Sequence, residues 1–200
     1  MHVTDSTTVM PLDDLVHTIR RKIAERPGRP TQIGPPQPAL YTPVSEKELT
    51  QEERRLGFNL PPLLRRLYTQ VANGGFGPGG GLLTLRQISP KVDQTVATLY
   101  HQLRGARSKR GGKWQEGLVP FAEWGCFILS CVDLSGSGAI DDPCVVRYEP
   151  NMPEAATHAY LKGHPFRGEG LIPERDRLSD WFEDWIQDRE MFHRPYKLEA

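Results

Sequence analysis

The chain has 200 residues, 38% hydrophobic and 25% charged, which is enough for one domain with a sizeable core and extensions. Lysine plus arginine number 25, as do aspartate plus glutamate, so the formal net charge is zero and nothing steers the whole molecule toward nucleic acid or a basic partner. No apolar run reaches the roughly 18–20 residues of a membrane span, the opening MHVTDSTTVM lacks a signal-peptide plan, and three cysteines without CxxC spacing argue for a reducing, cytoplasmic setting.

Residues 1–11 carry no periodic pattern and read as a loose end. Leu12, Leu15, Val16, Ile19 and Ile23 then recur at helical spacing behind Asp13 and Asp14, which predicts an amphipathic helix near 12–25. Prolines at 27, 30, 35, 36, 38 and 43 exclude helix and central strand from the next stretch, which reads as a stiff connector. Ser45 and Glu48 have the spacing of a capping box opening a helix near 46–56. Gly57 suits the left-handed residue that ends it. Asn59 is expected to cap the following helix, near 60–72, with Pro61 and Pro62 in its first turn. Leu63, Leu64, Leu67, Tyr68 and Val71 form its apolar face, and Asn73-Gly74-Gly75 stops it. A glycine-rich loop leads to a strand near 82–88, and Ser89-Pro90 reads as the start of a helix near 90–103.

Arg104 to Lys113 is basic with no acid and is expected to be a solvated loop. Trp114, Leu118, Val119 and Phe121 return the chain to the core, with a strand near 117–122. Residues 125–134 read as a central strand and 144–149 as its hairpin partner. Residues 150–173 hold Pro, His and Gly, with a short turn expected at 155–161. A last helix near 176–190 places Leu178, Trp181, Phe182, Trp185 and Ile186 on one face, with Asp180, Glu183, Asp184 and Asp188 off it. The expected fold class is α+β, a mostly antiparallel sheet flanked by helices.

The run E-x-x-LGF-x-LPP-x-L-x-x-LY-x-x-x-ANGGFGP from Glu53 to Pro78 resembles the Smi1/Knr4 (SUKH) superfamily. Gly125 before an apolar strand carrying Asp133, and the Trp-rich helix at 178–186, agree with it. The resemblance covers roughly residues 45–190. It implies a Smi1/Knr4-like domain over 44–200 with an N-terminal helix and Pro-rich extension over 1–43. It also implies a non-enzymatic protein-binding module. Many bacterial members look like immunity proteins that neutralise toxins. Others are regulators or scaffolds in larger complexes, connected with envelope synthesis or signalling.

Each chemical motif has a structural counterpart. Gly75 to Gly80 matches G-x-G-x-x-G, but a dinucleotide loop follows a strand and opens a helix, whereas here the order is reversed and Pro78 removes an amide. Glycines that let the chain turn tightly against the sheet account for it. Cys126 and Cys131 fall on opposite faces of the expected strand, and the six histidines have no metal-ligand spacing, so no metal or cofactor is expected. Asp133, Asp141 and Asp142 bracket the expected hairpin turn, and Glu123 lies just upstream. They suit turn chemistry or contact with a cationic partner better than acid–base work. The 104–113 loop with Trp114 is a weak nucleic-acid candidate. Trp181, Phe182 and Trp185 suit a core face better than an exposed hot spot. Trp124 is expected to be partly exposed. The candidate partner-contact residues are therefore Glu123, Trp124, Asp133, Asp141, Asp142, Arg107 and Arg110. Leu56, Gly57, Leu60, Pro61, Asn73, Gly74 and Gly75 read as structural motif residues. The expected function is an immunity-type protein that binds a toxin, without a catalytic residue.

Overall fold

Helices form where apolar spacing and end signals coincide. The computed structural model describes residues 10–25, 40–88, 94–106, 114–136, 140–152 and 170–191. α1 (Leu12–Glu25) buries Leu15, Val16 and Ile19. α2 (Glu46–Leu56) opens on the expected capping box: Ser45 Oγ accepts from the Glu48 amide while Glu48 Oε2 accepts from the Ser45 amide at 2.8 Å. It closes on Gly57 at φ 87. α3 (Pro62–Gln70) buries Leu63, Leu64, Leu67 and Tyr68. α4 (Val96–Gly105) starts from a capping box of Thr95 and Thr98. α5 (Leu178–Ile186) buries Leu178, Trp181 and Phe182.

β1 (Gly81–Leu82), β2 (Leu118–Gly125), β3 (Ile128–Asp133), β4 (Val145–Tyr148) and β5 (Leu171–Arg175) make one antiparallel sheet in the order β1-β2-β3-β4-β5. The α+β class is thus as expected, and so is the pairing of β3 with β4. Phe121, Trp181 and Phe182 are fully buried in the core cluster. Each such side chain contributes roughly 1.5–3 kcal/mol of burial free energy. Leu15, Val16 and Ile19 of α1 belong to the same cluster, so the N-terminal helix shares that core. Lys22 ties α1 to the C-terminal end of α5: its Nζ donates to Ile186 O at 3.2 Å and pairs with Asp188 at 2.8 Å.

Several boundaries differ from the sequence-based expectation. The stretch 125–134 is not one strand. Gly125 ends β2, Cys126 and Phe127 form a turn, and β3 begins at Ile128. Continuous apolarity hid the turn because neither turn residue is a usual turn former. The strand expected over 82–88 pairs with β2 at Gly81 and Leu82 and then makes one isolated parallel bridge, Thr84 with Thr95. Beyond it the Asn73 side chain takes the place of a ladder partner, its Oδ1 accepting from the amides of Leu85 and Arg86. The helix start expected at Ser89-Pro90 lies outside the described residues; α4 begins at Val96, where the Thr95–Thr98 pair satisfies the first amides. Asn59 does not cap α3, whose N-cap is Pro61. β5 lies inside a segment read as loop or helix start, where Pro173 masked its strand character. The turn expected at 155–161 lies outside the described residues.

Candidate functional site

The β2–β3 hairpin ends in a two-residue turn. Cys126 has φ 51 and Phe127 has φ 62, so both central residues are left-handed, as a type I′ turn requires. Asn-Gly is the usual occupant. A residue with a Cβ costs roughly 1–2 kcal/mol there. Phe127 is 58% exposed at the apex and Cys126 is exposed beside it.

The base of this hairpin is tightly held. Register shifts fall at Phe121 and Trp124 on β2 and at Glu174 on β5. A bulge re-aims its extra side chain. The Phe121 ring meets Trp181 edge-on at 4.9 Å, and Trp124 meets it at 6.4 Å. Trp124 Nε1 donates to Ser130 Oγ at 2.8 Å, and Ser130 Oγ donates to Glu174 Oε2 at 2.7 Å. Burial raises the Glu174 carboxyl above the ordinary range, with Arg147 the largest opposing influence. Gly79, at φ 63, closes over Trp124: an added Cβ would lie 2.7 Å from its ring. Gly80 donates its amide to Glu123 O at 2.6 Å. The glycine-rich loop is thus a packed lid on β2.

The candidate contact residues are not one patch. Glu123 and Trp124 sit at the hairpin end of β2, whereas Asp133 ends β3, four residues beyond Leu129, the partner of Glu123, or roughly 13 Å at about 3.3 Å per residue. Trp124 is a correction, because at 5% exposure it belongs to the core. The bulge that turns it inward leaves no mark in the sequence. Asp133 is bound within its own turn, where Oδ1 accepts from the Ser135 amide at 3.0 Å and from Ser135 Oγ at 2.6 Å. Asp142 reaches the start of α5. Its Oδ1 accepts from the Ser179 amide at 2.8 Å and its Oδ2 from Ser179 Oγ at 2.6 Å. It supplies the cap that Arg177, at the N-cap position, does not. Asp141 is exposed. Arg107 and Arg110 lie outside the described residues. Phe127, which the sequence suggested was a strand residue, is the exposed aromatic at this end. No residue signature marked it, because neither Cys126 nor Phe127 is a usual turn former.

The acids of the last helix are also engaged. Asp184 takes hydrogen bonds from Arg175 Nε and from Arg189 Nη1, and Asp180 pairs with Arg177. Among the described residues no group of three or more His, Cys, Asp or Glu is placed to hold a metal ion. Cys126 lies in a turn, so the strand alternation expected for it does not apply. Cys131 is buried, and burial holds its thiol well above the usual range.

The stretch 53–86 behaves as one clasp. Glu53 Oε1 accepts from the Leu60 amide at 2.8 Å, and Arg65 Nη1 donates to the same carboxylate at 2.6 Å. One buried acid thereby joins the end of α2 to the start of α3. Tyr68 donates its hydroxyl to Leu83 O at 2.8 Å, and burial raises its pKa. Asn73 binds the chain at 85–86. The sequence from 43 to 188 matches the SMI1/KNR4 family (SUKH-1). The chain belongs to that family. No curated protein matches the sequence.

In this SUKH-1 chain Leu56, Gly57, Leu60, Pro61, Asn73, Gly74 and Gly75 are all elements of the clasp. Leu56, Leu60 and Asn73 are buried, and Gly57 and Gly74 take left-handed φ values of 87 and 85. Domains of this family are generally binding modules without enzymatic activity, and the family points to protein partners. Among the described residues no helix is long and apolar enough to cross a membrane.

Proposed function

We propose that this chain is a cytoplasmic, non-enzymatic binding module of the immunity type, which binds a bacterial toxin stoichiometrically and blocks it. The contact centres on the tip of the β2–β3 hairpin. One observation carries the placement: Phe127, 58% exposed, stands on two consecutive non-glycine residues with positive φ. Backbone strain of this kind clusters at functional sites. An aromatic on a rigid base suits a binding anchor, because little side-chain freedom is lost on docking. The carboxylates Asp133, Asp142, Asp180 and Asp184 are all engaged inside the molecule, which supports binding over acid–base chemistry.

The test is co-purification with a toxin domain encoded beside it, followed by titration calorimetry. A one-to-one complex is expected, with toxin activity lost at equivalence. Phe127→Ser should weaken binding roughly 30-fold, as loss of an anchor worth about 2 kcal/mol would. Its thermal midpoint should be unchanged. Unaltered affinity in that variant would remove the hairpin tip from the contact. Substrate turnover abolished by one carboxylate or cysteine substitution would end the non-enzymatic reading. Stable association with resident envelope or signalling proteins instead would favour a regulatory or scaffolding role.

A further inference from the structure

Asn73-Gly74 is the dipeptide in which a backbone amide most readily attacks the preceding side-chain amide, because Gly74 has no Cβ in the way. The fold holds this pair out of reach of itself. Asn73 has 0% exposure. Its Oδ1 accepts from the amides of Leu85 at 2.9 Å and Arg86 at 3.0 Å, and its Nδ2 donates to Arg86 O at 2.7 Å. Its own amide donates to Tyr41 O at 3.1 Å, and the Gly75 amide donates to Leu82 O at 2.9 Å. Gly74 is wedged so closely that an added Cβ would lie 2.7 Å from Leu83 O. Neither the carboxamide nor the peptide behind it has room to rotate into a ring.

We propose that Asn73 is a fold-gated deamidation site, unreactive in the native chain and converted only in molecules whose 73–86 clasp has opened. In the open chain the Gly74 amide nitrogen loses its proton to a solvent base and bonds to Asn73 Cγ. The Cγ–Nδ2 bond breaks and ammonia leaves, giving a five-membered succinimide. Water then opens either ring C–N bond, leaving aspartate or isoaspartate at position 73. The aspartate product sets a carboxylate oxygen against Arg86 O, where the amide had donated a proton at 2.7 Å. A charge at a fully buried position facing a second acceptor is strongly disfavoured. Isoaspartate lengthens the main chain within the clasp. A reacted molecule therefore does not close as before, and the conversion permanently marks each opening long enough to react.

The experiment follows the full chain at mildly alkaline pH, in plain buffer and in guanidinium chloride. Peptide mass spectrometry reads the exchange of amide for acid at Asn59, Asn73 and Asn151. In denaturant Asn73 should react fastest of the three, because Leu60 and Met152 follow the other two. In buffer its rate should fall at least about tenfold, in step with the population of the open form. Equal rates at Asn73 in the two solvents would overturn the gating. So would an unreactive Asn73 in denaturant. Asn73→Asp, made directly, checks the consequence. A lowered thermal midpoint or failure to fold agrees with the proposal, and a native midpoint overturns it.

Discussion

The two ends of β3 reverse the roles that their sequences suggest. At one end Asp133, Asp141 and Asp142 resemble an acidic contact patch, yet two of the three hold the fold: Asp133 closes its own turn and Asp142 caps α5. At the other end Cys126-Phe127 looks like strand interior, yet it is a strained turn presenting an aromatic to solvent. A charged residue in a turn finds backbone amides nearby and becomes structural. An exposed apolar residue on an unfavourable turn has no such internal reward. The second kind of residue is therefore the better pointer to a partner.

The largest effect separates two aromatics three residues apart. Trp124→Ala should lose roughly 3–5 kcal/mol of stability, because it empties a core site and strips Ser130 of its indole donor. Phe127→Ala should stay within about 0.5 kcal/mol in the same urea titration. A large loss at Phe127 would make the tip structural and erase the contrast. Next comes the acidic end. Asp142→Ala should cost about 1–2 kcal/mol through the lost α5 cap, with Asp142→Asn costing less. No loss would return Asp142 to the list of contact residues.

A smaller effect concerns pH. The Glu174 carboxyl is raised from the ordinary 4.5, chiefly by burial, so the folded chain holds that proton more tightly than the unfolded chain. Its contribution is full below the ordinary carboxyl value and is lost as pH rises through the folded one. Glu174→Gln keeps an acceptor for Ser130 and removes the titration. The variant should match or exceed the parent at neutral pH and lose that advantage in acid, read as urea midpoints in the two buffers. The smallest perturbation is thiol labelling of the native chain. Cys126 at the tip should react readily and the buried Cys131 not at all. Reversed order by peptide mass spectrometry would contradict the turn.

Much of the helical layer was legible because its signals are local. The apolar spacing of α1, the Ser45–Glu48 box and the left-handed Gly57 all act within a turn or two of chain. The start of α4 at Val96 was missed because the Thr95–Thr98 box was not read as a cap. Around the candidate site the sequence was a poorer guide. Trp124 and Phe127 differ in exposure because a bulge turns one inward and a turn throws the other out. Neither device has a residue signature here.

By itself, the sequence determined the fold class, the family motif and the two ends of α2, since the Ser45–Glu48 box and Gly57 rest on contacts between residues close in the chain. Only the tertiary structure decided which acids are available and which aromatic is exposed. Asp142 meets Ser179 across 37 positions and Ser130 meets Glu174 across 44. A side chain's freedom to meet a partner depends on what the distant chain brings to it, and that is settled only when the sheet and α5 close together.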